Sequence, residues 1–435
     1  MNEYDSNRIL DLVKPIGYVV TDNALNADCY VLNTCHIREK ATDRVYHDIG
    51  RLKKEFRNKK KPMLLVTGCV AQAETKEMLN REKYIDGVVG PQSYHKIPDI
   101  IKQLERNKNK INSTEFEVIE KFDILNLVRN TNTRISSFLT IQEGCDKFCH
   151  FCVVPYTRGP EHSRSLDEIV IEAKQLINNG AKEITLLGQN VNAYEYKNEG
   201  STFRLADLII KLNQLKELKR IRYTTSHPND VTEDLIEVHK YCEKLMPILH
   251  LPVQSGSSKI LDRMNRKHDI LAYHKTIENL KKAKPNIKFS SDFIIGYPGE
   301  TEDDFNQTLS LIEKIKFINS YSFVYSSRPG TPASKLDNVN PDIAKKRLSK
   351  LQEILERNNL KYKEGFLGKS TEVLFENKLE SQNKYFGRDK FLNAVIVQSE
   401  EDLTGQILDI KINDFNHNNL FGKILSSKKE ILQLN

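Results

Sequence analysis

The sequence predicts an α/β chain in three parts: a parallel-sheet α/β domain over residues 1–110, a partial (β/α) barrel over 134–368 and a small β-barrel over 369–433. Three observations carry that reading. Up to residue 110, apolar strand-like runs alternate with helical periodicity, the pattern of a parallel sheet covered on both faces. From residue 134 to about 365, six units repeat an apolar strand, a polar or glycine-marked turn and a helix. Barrels of that kind keep their chemistry at the C-terminal ends of the strands; an open doubly wound sheet is the alternative. Beyond 369 the hydrophobic period changes to two, with short strands between polar turns. Residues 111–133, rich in Asn, Lys, Ser and Thr and without clear periodicity, read as a linker.

The totals are those of a globular chain. Of 435 residues, 39% are apolar and 29% charged, and no apolar run reaches the length of a membrane span. The polar, acidic stretch from Met1 to Ser6 does not read as a secretory signal. Seven cysteines, three of them within eight positions, suggest a reducing, cytoplasmic compartment and metal binding rather than disulfides. A net charge of +7 is a moderate bias towards an anionic partner. The densest basic run, 51–61, reads as the end of a solvent-facing helix.

In the first part, Ile9, Leu10 and Val13 place a helix over 3–13. Strands are expected over 27–34, 61–67 and 86–90, with helices over 37–57, from about Gln72, and over 94–106. Cys35 and Cys69 fall just past the first two strands. Ligands gather at the carboxyl ends of strands in open α/β sheets, so both thiols belong on one rim and could share a metal site; two isolated loop thiols are the plainer alternative. Cys29 is a poor partner for them, since an extended strand puts it roughly 20 Å from Cys35 at about 3.3 Å per residue. A domain of this kind that starts on a helix lacks the first strand of its sheet. Either a strand upstream of Met1 or a truncated chain is therefore expected.

The second part turns on Cys145, Cys149 and Cys152, directly after the apolar Phe138, Leu139 and Ile141. Three thiolates at this spacing converge on one centre if the backbone loops around it. Soft thiolates select iron–sulfur clusters, zinc or copper(I), and three ligands rather than four leave a position open for chemistry. The same spacing would also form one helix face, but Gly144 before it and Pro155 and Gly159-Pro160 after it argue against a regular helix. Strands are expected over 138–142, 183–187, 220–225, 248–253, 288–295 and 320–325. Residues 165–168 and 301–304 resemble capping boxes, and Gly180 a helix C-cap. Five strand ends are polar and turn-rich: 188–190, 226–228, 254–257, 296–300 and 326–330. Any one is ordinary turn chemistry; five on the rim of the cysteine loop predict a ligand pocket. His227 and His250 read as satisfied structural histidines, and Asp292 as either a pocket-facing or a core polar residue.

A helix over 341–363 has one apolar side, from Leu348 to Leu355, for packing on the barrel. The third part has strands over 371–375, 391–398, 404–412 and 420–425. Tyr385, Phe386 and Arg388 add aromatics and a base, as nucleic-acid-binding barrels do.

Cys145-x-x-x-Cys149-x-x-Cys152, with Phe151 before the last cysteine, resembles the radical S-adenosylmethionine (SAM) signature. The continuation through Pro155-Tyr156-Thr157-Arg158-Gly159 is similar to the methylthiotransferases, and to the branch acting on isopentenyladenosine in tRNA. Asn33-Thr34-Cys35-His36 and Gly68-Cys69-Val70-Ala71-Gln72 match the family's amino-terminal domain.

The resemblance implies a [4Fe–4S] cluster on Cys145, Cys149 and Cys152 whose fourth iron binds SAM, with Phe151, Gln189, Asn190, Ser226 and Gln254 in cofactor contacts. It implies an auxiliary [4Fe–4S] cluster on Cys35 and Cys69, whose third family ligand has no counterpart in this sequence. The C-terminal barrel corresponds to a TRAM domain, with Tyr385, Phe386 and Arg388 as RNA contacts. The implied reaction is radical methylthiolation of adenine C2 beside the anticodon. The implied partners are tRNA, an electron-donor protein and sulfur-delivery or iron–sulfur assembly proteins, with no membrane. Rival expectations are methylthiolation of a ribosomal-protein aspartate, a threonylcarbamoyl-adenosine substrate, and a catalytically impaired iron–sulfur tRNA-binding protein.

Overall fold

The computed structural model describes residues 1–35, 40–107, 109–128, 133–380 and 383–425. The first part runs α1 (Asn2–Val13), β1 (Cys29–Thr34), α2 (Lys40–Glu55), β2 (Met63–Gly68), α3 (Cys69–Arg81), β3 (Gly87–Val89), α4 (Ile97–Asn107), β4 (Ile111–Ser113) and α5 (Val118–Leu127). The strands form one parallel sheet in the order β1-β2-β3-β4. Strand alternation splits the apolar run of β2 between two cores. Leu65 packs with α1, α4 and α5, while Leu64 and Val66 pack with α2 and α3.

Two expectations change here. The stretch 111–133 is more than a linker: Ile111–Ser113 adds the fourth strand, paired with β3, and Phe122 and Leu125 of α5 are buried in the sheet's core. The apolar positions 118, 122 and 125 do follow a helical period, but charged and polar neighbours dilute the signal. The helix expected from Gln72 instead begins at Cys69, with a non-helical turn at Thr75 (φ 48°). Residues 36–39, expected to open the second helix, lie outside the described residues.

The second part continues with β5 (Ser136–Thr140), β6 (Gln142–Glu143), α6 (Val154–Arg158), β7 (His162–Ser163), α7 (Leu166–Asn178), β8 (Glu183–Leu187), β9 (Glu195–Asn198), β10 (Ser201–Arg204), α8 (Leu205–Asn213) and β11 (Arg220–Thr224). It closes with α9 (Glu233–Tyr241), β12 (Ile248–His250), α10 (Ser258–Arg263), α11 (Ile270–Ala283), β13 (Lys288–Ser290), β14 (Asp292–Ile295), α12 (Glu302–Ile315), β15 (Tyr321–Val324) and α13 (Pro341–Glu364). Parallel pairings join β5, β8 and β11, then β12 with β13, and β14 with β15. Single bridges at Ile221–Leu245 and Gln254–Phe293 stitch these groups into one curved sheet. No pairing joins β5 to β15 among the described residues, so the barrel is partial.

The strand expected over 288–295 is two strands with different partners. Ser291 breaks it, its hydroxyl donating to the Leu251 carbonyl (3.1 Å) and accepting from the Val253 N–H (3.0 Å). Thr301 and Asp304 form the full reciprocal capping box, whereas Ser165 makes only its half, accepting from the Glu168 N–H.

The third part is a closed five-stranded barrel of β16 (Ser370–Lys378), β17 (Lys384–Asp389), β18 (Ala394–Gln398), β19 (Ile407–Phe415) and β20 (Asn419–Ile424), in the order β16-β17-β18-β20-β19. It sits at the amino-terminal ends of the central strands. There Arg220 donates to the Arg388 carbonyl (2.7 Å) and Arg222 to those of Lys390 and Asp389 (3.0 and 2.9 Å). The cysteine loop leaves from the opposite, carboxyl rim.

Candidate active site

The loop after β6 is shaped by its backbone. Gly144 takes φ +74°, and a Cβ there would lie 1.8 Å from the Pro160 carbonyl oxygen, so only glycine fits. The Cys145 N–H closes the loop on the Gly159 carbonyl (3.2 Å), and Phe148 adopts a left-handed φ of 45° that reverses the chain before Cys149. The Cys152 N–H bonds the Cys149 carbonyl (2.9 Å). Two sulfurs accept hydrogen bonds: Cys152 Sγ from the Val154 N–H (3.4 Å) and Cys149 Sγ from Arg266 Nη1 (3.6 Å). Cys149 is buried, Cys145 and Cys152 half-buried.

Burial pushes the Cys145 and Cys152 thiols up to about 12. A metal cation is therefore what would draw them into the thiolate form. Their spacing also speaks to its nature. Among the described residues, the one group of three potential ligand atoms lying within 4.8 Å of one another is His95, Glu117 and Glu120; the three thiols are more widely spread. One zinc ion with about 2.3 Å bonds would gather sulfurs to within about 4 Å. A multi-iron cluster, which attaches its thiolates to separate irons, suits the wider set.

Parallel register places the other two cysteines together. Thr34 pairs with Gly68 across β1 and β2, so Cys35 and Cys69 are the next residues on the same rim. Gly68 is confined like Gly144: a Cβ at its φ of +92° would meet the Thr34 carbonyl oxygen at 2.2 Å. Cys69 starts α3, which packs against α6 just after Cys152, and Cys69 is near enough to add to the upward push on the Cys152 thiol. Cys29 begins β1 at its far end, half-buried, with its thiol pushed up to about 12 by desolvation.

A buried ionic seam fastens this sheet to the cysteine loop. Arg158 pairs with Asp5 (2.7 Å) and approaches Glu143 (3.6 Å), the residue before Gly144. Lys121 of α5, fully buried, pairs with the same Glu143 and donates to Gln92 (2.7 Å). Beside it Glu172 accepts from Arg164 (2.7 Å) and Tyr4 (3.0 Å). Burial alone would raise the carboxyls of Glu143 and Glu172, but Lys121 with Arg158, and Arg164 with Arg8, hold both below the usual range.

The expected cofactor residues divide by role. Gln189 Oε1 accepts the Gly144 N–H (2.7 Å), bracing the cysteine loop. Asn190 donates to Asp230 (2.7 Å) and Glu161 (3.2 Å) while its Oδ1, although buried, has no partner. Ser226 Oγ is likewise buried and unpartnered, as are His227 Nε2, both ring nitrogens of His268 and Arg266 Nε. Each such group left without a partner costs about 1–3 kcal/mol, so the cluster of them at one rim fits a polar ligand. Gln254 is held in a left-handed turn (φ 76°), its backbone bonded to Asp292 and Ile294. Phe151 packs, half-buried, with Ile260, Met264 and Tyr297.

Not every polar turn leaves open groups at this rim. In the 254–257 turn Ser255, Gly256 and Ser257 bond Thr308 and Asp304, and the 296–300 turn is tied through Glu300 to Arg347 of α13. His250 is satisfied by Ser290 (2.8 Å) and lies 3.4 Å from Asp292, as expected of a structural histidine. Unlike it, His227 leaves a ring nitrogen open. Sequence reasoning missed Arg266 and His268, which lie on a helix-connecting loop without any motif of their own.

In the C-terminal barrel Tyr385 is 2% exposed and belongs to the core, so it is not available to stack on a base. The cause is strand alternation: 385, 387 and 389 face in, while Phe386 and Arg388 face out. No strand is expected from the sequence over 384–389, where β17 lies, and the alternation goes unseen for that reason. Arg388 is already engaged with Glu376 and lies over the Phe386 ring (4.9 Å).

Comparison with known proteins gives concordant results. Residues 139–312 match the radical SAM superfamily, and 1–90 match the uncharacterized protein family UPF0004. A Pelagibacter ubique protein named tRNA-2-methylthio-N(6)-dimethylallyladenosine synthase is 57% identical over 99% of this chain and 96% of its own length. Proteins of the same name from Wolbachia pipientis (48% identical; 97% of each chain) and Rickettsia canadensis (46%; 98% of this chain, 97% of that one) are similar throughout. Among solved structures, a radical SAM methyltransferase, TsrM from Kitasatospora setae, superposes with a TM-score of 0.54 at 12% identity, over 76% of this chain and 74% of that one. That likeness concerns the fold alone.

Proposed function

This chain belongs to the tRNA-2-methylthio-N(6)-dimethylallyladenosine synthase family of radical SAM enzymes, and from that membership we infer that it methylthiolates isopentenyladenosine next to the anticodon of tRNA. The observation that carries the reading is identity of 46–57% over nearly the full chain, joined to a three-thiol loop at the carboxyl rim of a partial barrel. The ribosomal-protein and noncatalytic alternatives are not favoured. Given tRNA bearing isopentenyladenosine and the ribosomal protein in separate assays, the chain is expected to modify the tRNA. Activity on the ribosomal protein alone would overturn the reading.

As a radical SAM enzyme the chain uses a [4Fe–4S] cluster and SAM. Cys145, Cys149 and Cys152 would hold that cluster, which when bound supplies the electron for reductive cleavage of SAM. The chain's own residues do the rest. Gly144, braced by Gln189, sets the thiols; Asn190, Ser226 and His227 offer their open polar atoms to SAM; the barrel wall keeps water from a reactive species. Support for these roles lies in the unpartnered buried groups on the same rim as the thiols.

Cys35 and Cys69, adjacent through strand register, would hold a second cluster beside the first. Iron per chain after anaerobic reconstitution tests this: about eight supports two cubanes, about four only one. An electron-donor protein and sulfur-delivery or iron–sulfur assembly partners follow from that chemistry, and a cytoplasmic location from its need for a reducing compartment. No helix among the described residues is long and apolar enough to cross a membrane.

For tRNA contact the barrel offers a row of outward side chains. Phe386, Ile396 and Phe421 are cross-strand neighbours on β17, β18 and β20, with Lys384 and Lys423 beside them in a shallow groove. Apolar and aromatic surface flanked by ammonium groups suits unpaired bases and phosphates. This row replaces Tyr385 in the role expected from sequence.

A further inference from the structure

We propose that Arg266 is the counter-cation of the three-thiol centre and raises its reduction potential through an N–H···S bond to Cys149. The inference rests on Cys145, Cys149 and Cys152 being cluster ligands. Arg266 lies between α10 and α11, its backbone N–H bonded to Leu261 and its carbonyl to the His268 N–H. Its guanidinium is buried. Nη1 reaches Cys149 Sγ at 3.6 Å and Nη2 donates to the Pro252 carbonyl at 2.6 Å, while Nε has no partner.

What sets Arg266 apart is the company it lacks. Arg158, Arg164 and Arg222 are buried as deeply, and each meets a carboxylate: Asp5 at 2.7 Å, Glu172 at 2.7 Å and Glu183 at 3.0 Å. No ion pair of Arg266 is seen among the described residues. A guanidinium cannot shed its proton, and a buried charge without a counter-charge is strongly disfavoured. The negative charge that would complete it is that of thiolates on the loop it touches. Its field reaches Cys152, His227 and His268 as well.

The consequence is a redox one. Taking up one electron makes a thiolate-bound cluster one charge more negative, and a fixed cation in a poorly polarisable site favours that form. A hydrogen bond to a ligand sulfur acts in the same direction, being one of the means by which proteins tune such clusters. Both effects make the electron easier to deliver.

The test uses the full chain carrying Cys35→Ala and Cys69→Ala, so that only the loop thiols can hold a cluster. It is reconstituted anaerobically, and the reduced signal is titrated by electron paramagnetic resonance in this parent and in its Arg266→Lys, Arg266→Gln and Arg266→Met versions. At a fixed potential, the reduced-to-oxidised ratio is expected to fall about tenfold in Arg266→Met, equivalent to about 59 mV for one electron. Arg266→Lys, which keeps the charge, should fall less. Full iron with an unchanged ratio in Arg266→Met and Arg266→Gln would overturn the proposal. Loss of iron from those two but not from Arg266→Lys would uphold the counter-cation, whereas equal loss from all three would reject it in favour of packing. A parent that takes up no iron would instead sink the cluster reading itself.

Discussion

At the scale of single residues, the cysteine loop depends as much on Gly144 as on its thiols. A methyl group at Gly144 would collide with the Pro160 carbonyl and disfavour the left-handed backbone. Gly144→Ala is therefore expected to cost more than about 1 kcal/mol and to lower the iron bound per chain, measured by urea titration and iron assay. Cys149→Ala removes a ligand but no element of the fold. It should abolish deoxyadenosine formation from SAM while leaving tRNA affinity within about twofold of the parent, a shift of roughly 0.4 kcal/mol at most. Retained deoxyadenosine would refute the assignment. The thiols were legible from spacing alone because soft ligands in so short a stretch have few other uses. Arg266 was not, since a lone arginine on a loop gives no signal until a sulfur is found beside it.

At the scale of elements, the seam between the parallel sheet and the barrel is where buried charge does the joining. Asp5 of α1, Lys121 of α5, Glu143 of β6 and Arg158 of α6 come from four elements and are all buried. Glu172 extends the seam into α7. Its carboxyl is held below the unfolded value of 4.5, because the attraction of Arg164 and Arg8 outweighs the opposing effect of burial. A depressed folded value means that its contribution is complete above pH 4.5 and is lost as pH falls through the folded value. The urea midpoint should therefore drop on acidification below pH 4.5, and Glu172→Gln should flatten that drop. At neutral pH the same change leaves Arg164 buried without its partner charge and is expected to cost about 3 kcal/mol. Reading 111–133 as a linker hid this seam, since a buried lysine gives no hydrophobic signal.

At the scale of the whole molecule, the small barrel and the cysteine loop occupy opposite ends of the central strands. A substrate held at both must extend along the molecule, and tRNA has that reach. Binding and chemistry are then separable. Phe386→Ala should remove about 1–3 kcal/mol of stacking, raising the KM for tRNA roughly 5- to 150-fold and leaving the SAM cleavage rate without tRNA unchanged. A fall in that basal rate would mean that the barrel acts on the active site rather than on the substrate.

What the sequence determined by itself was local: the strand–helix alternation of the first two parts, the period of two in the third, and the thiol spacings that mark the cofactor chemistry. Such features depend on neighbours within a few positions of the chain. The tertiary structure alone decided which residues meet across long separations. It set Arg266 against Cys149, which are 117 positions apart, and Asp5 against Arg158, 153 apart. It broke one expected strand in two through the Ser291 hydroxyl, and it turned Tyr385 inward by the phase of a strand that polar neighbours had concealed. Those outcomes depend on which groups find a partner once water is excluded, and no window along the chain contains both members of such a pair.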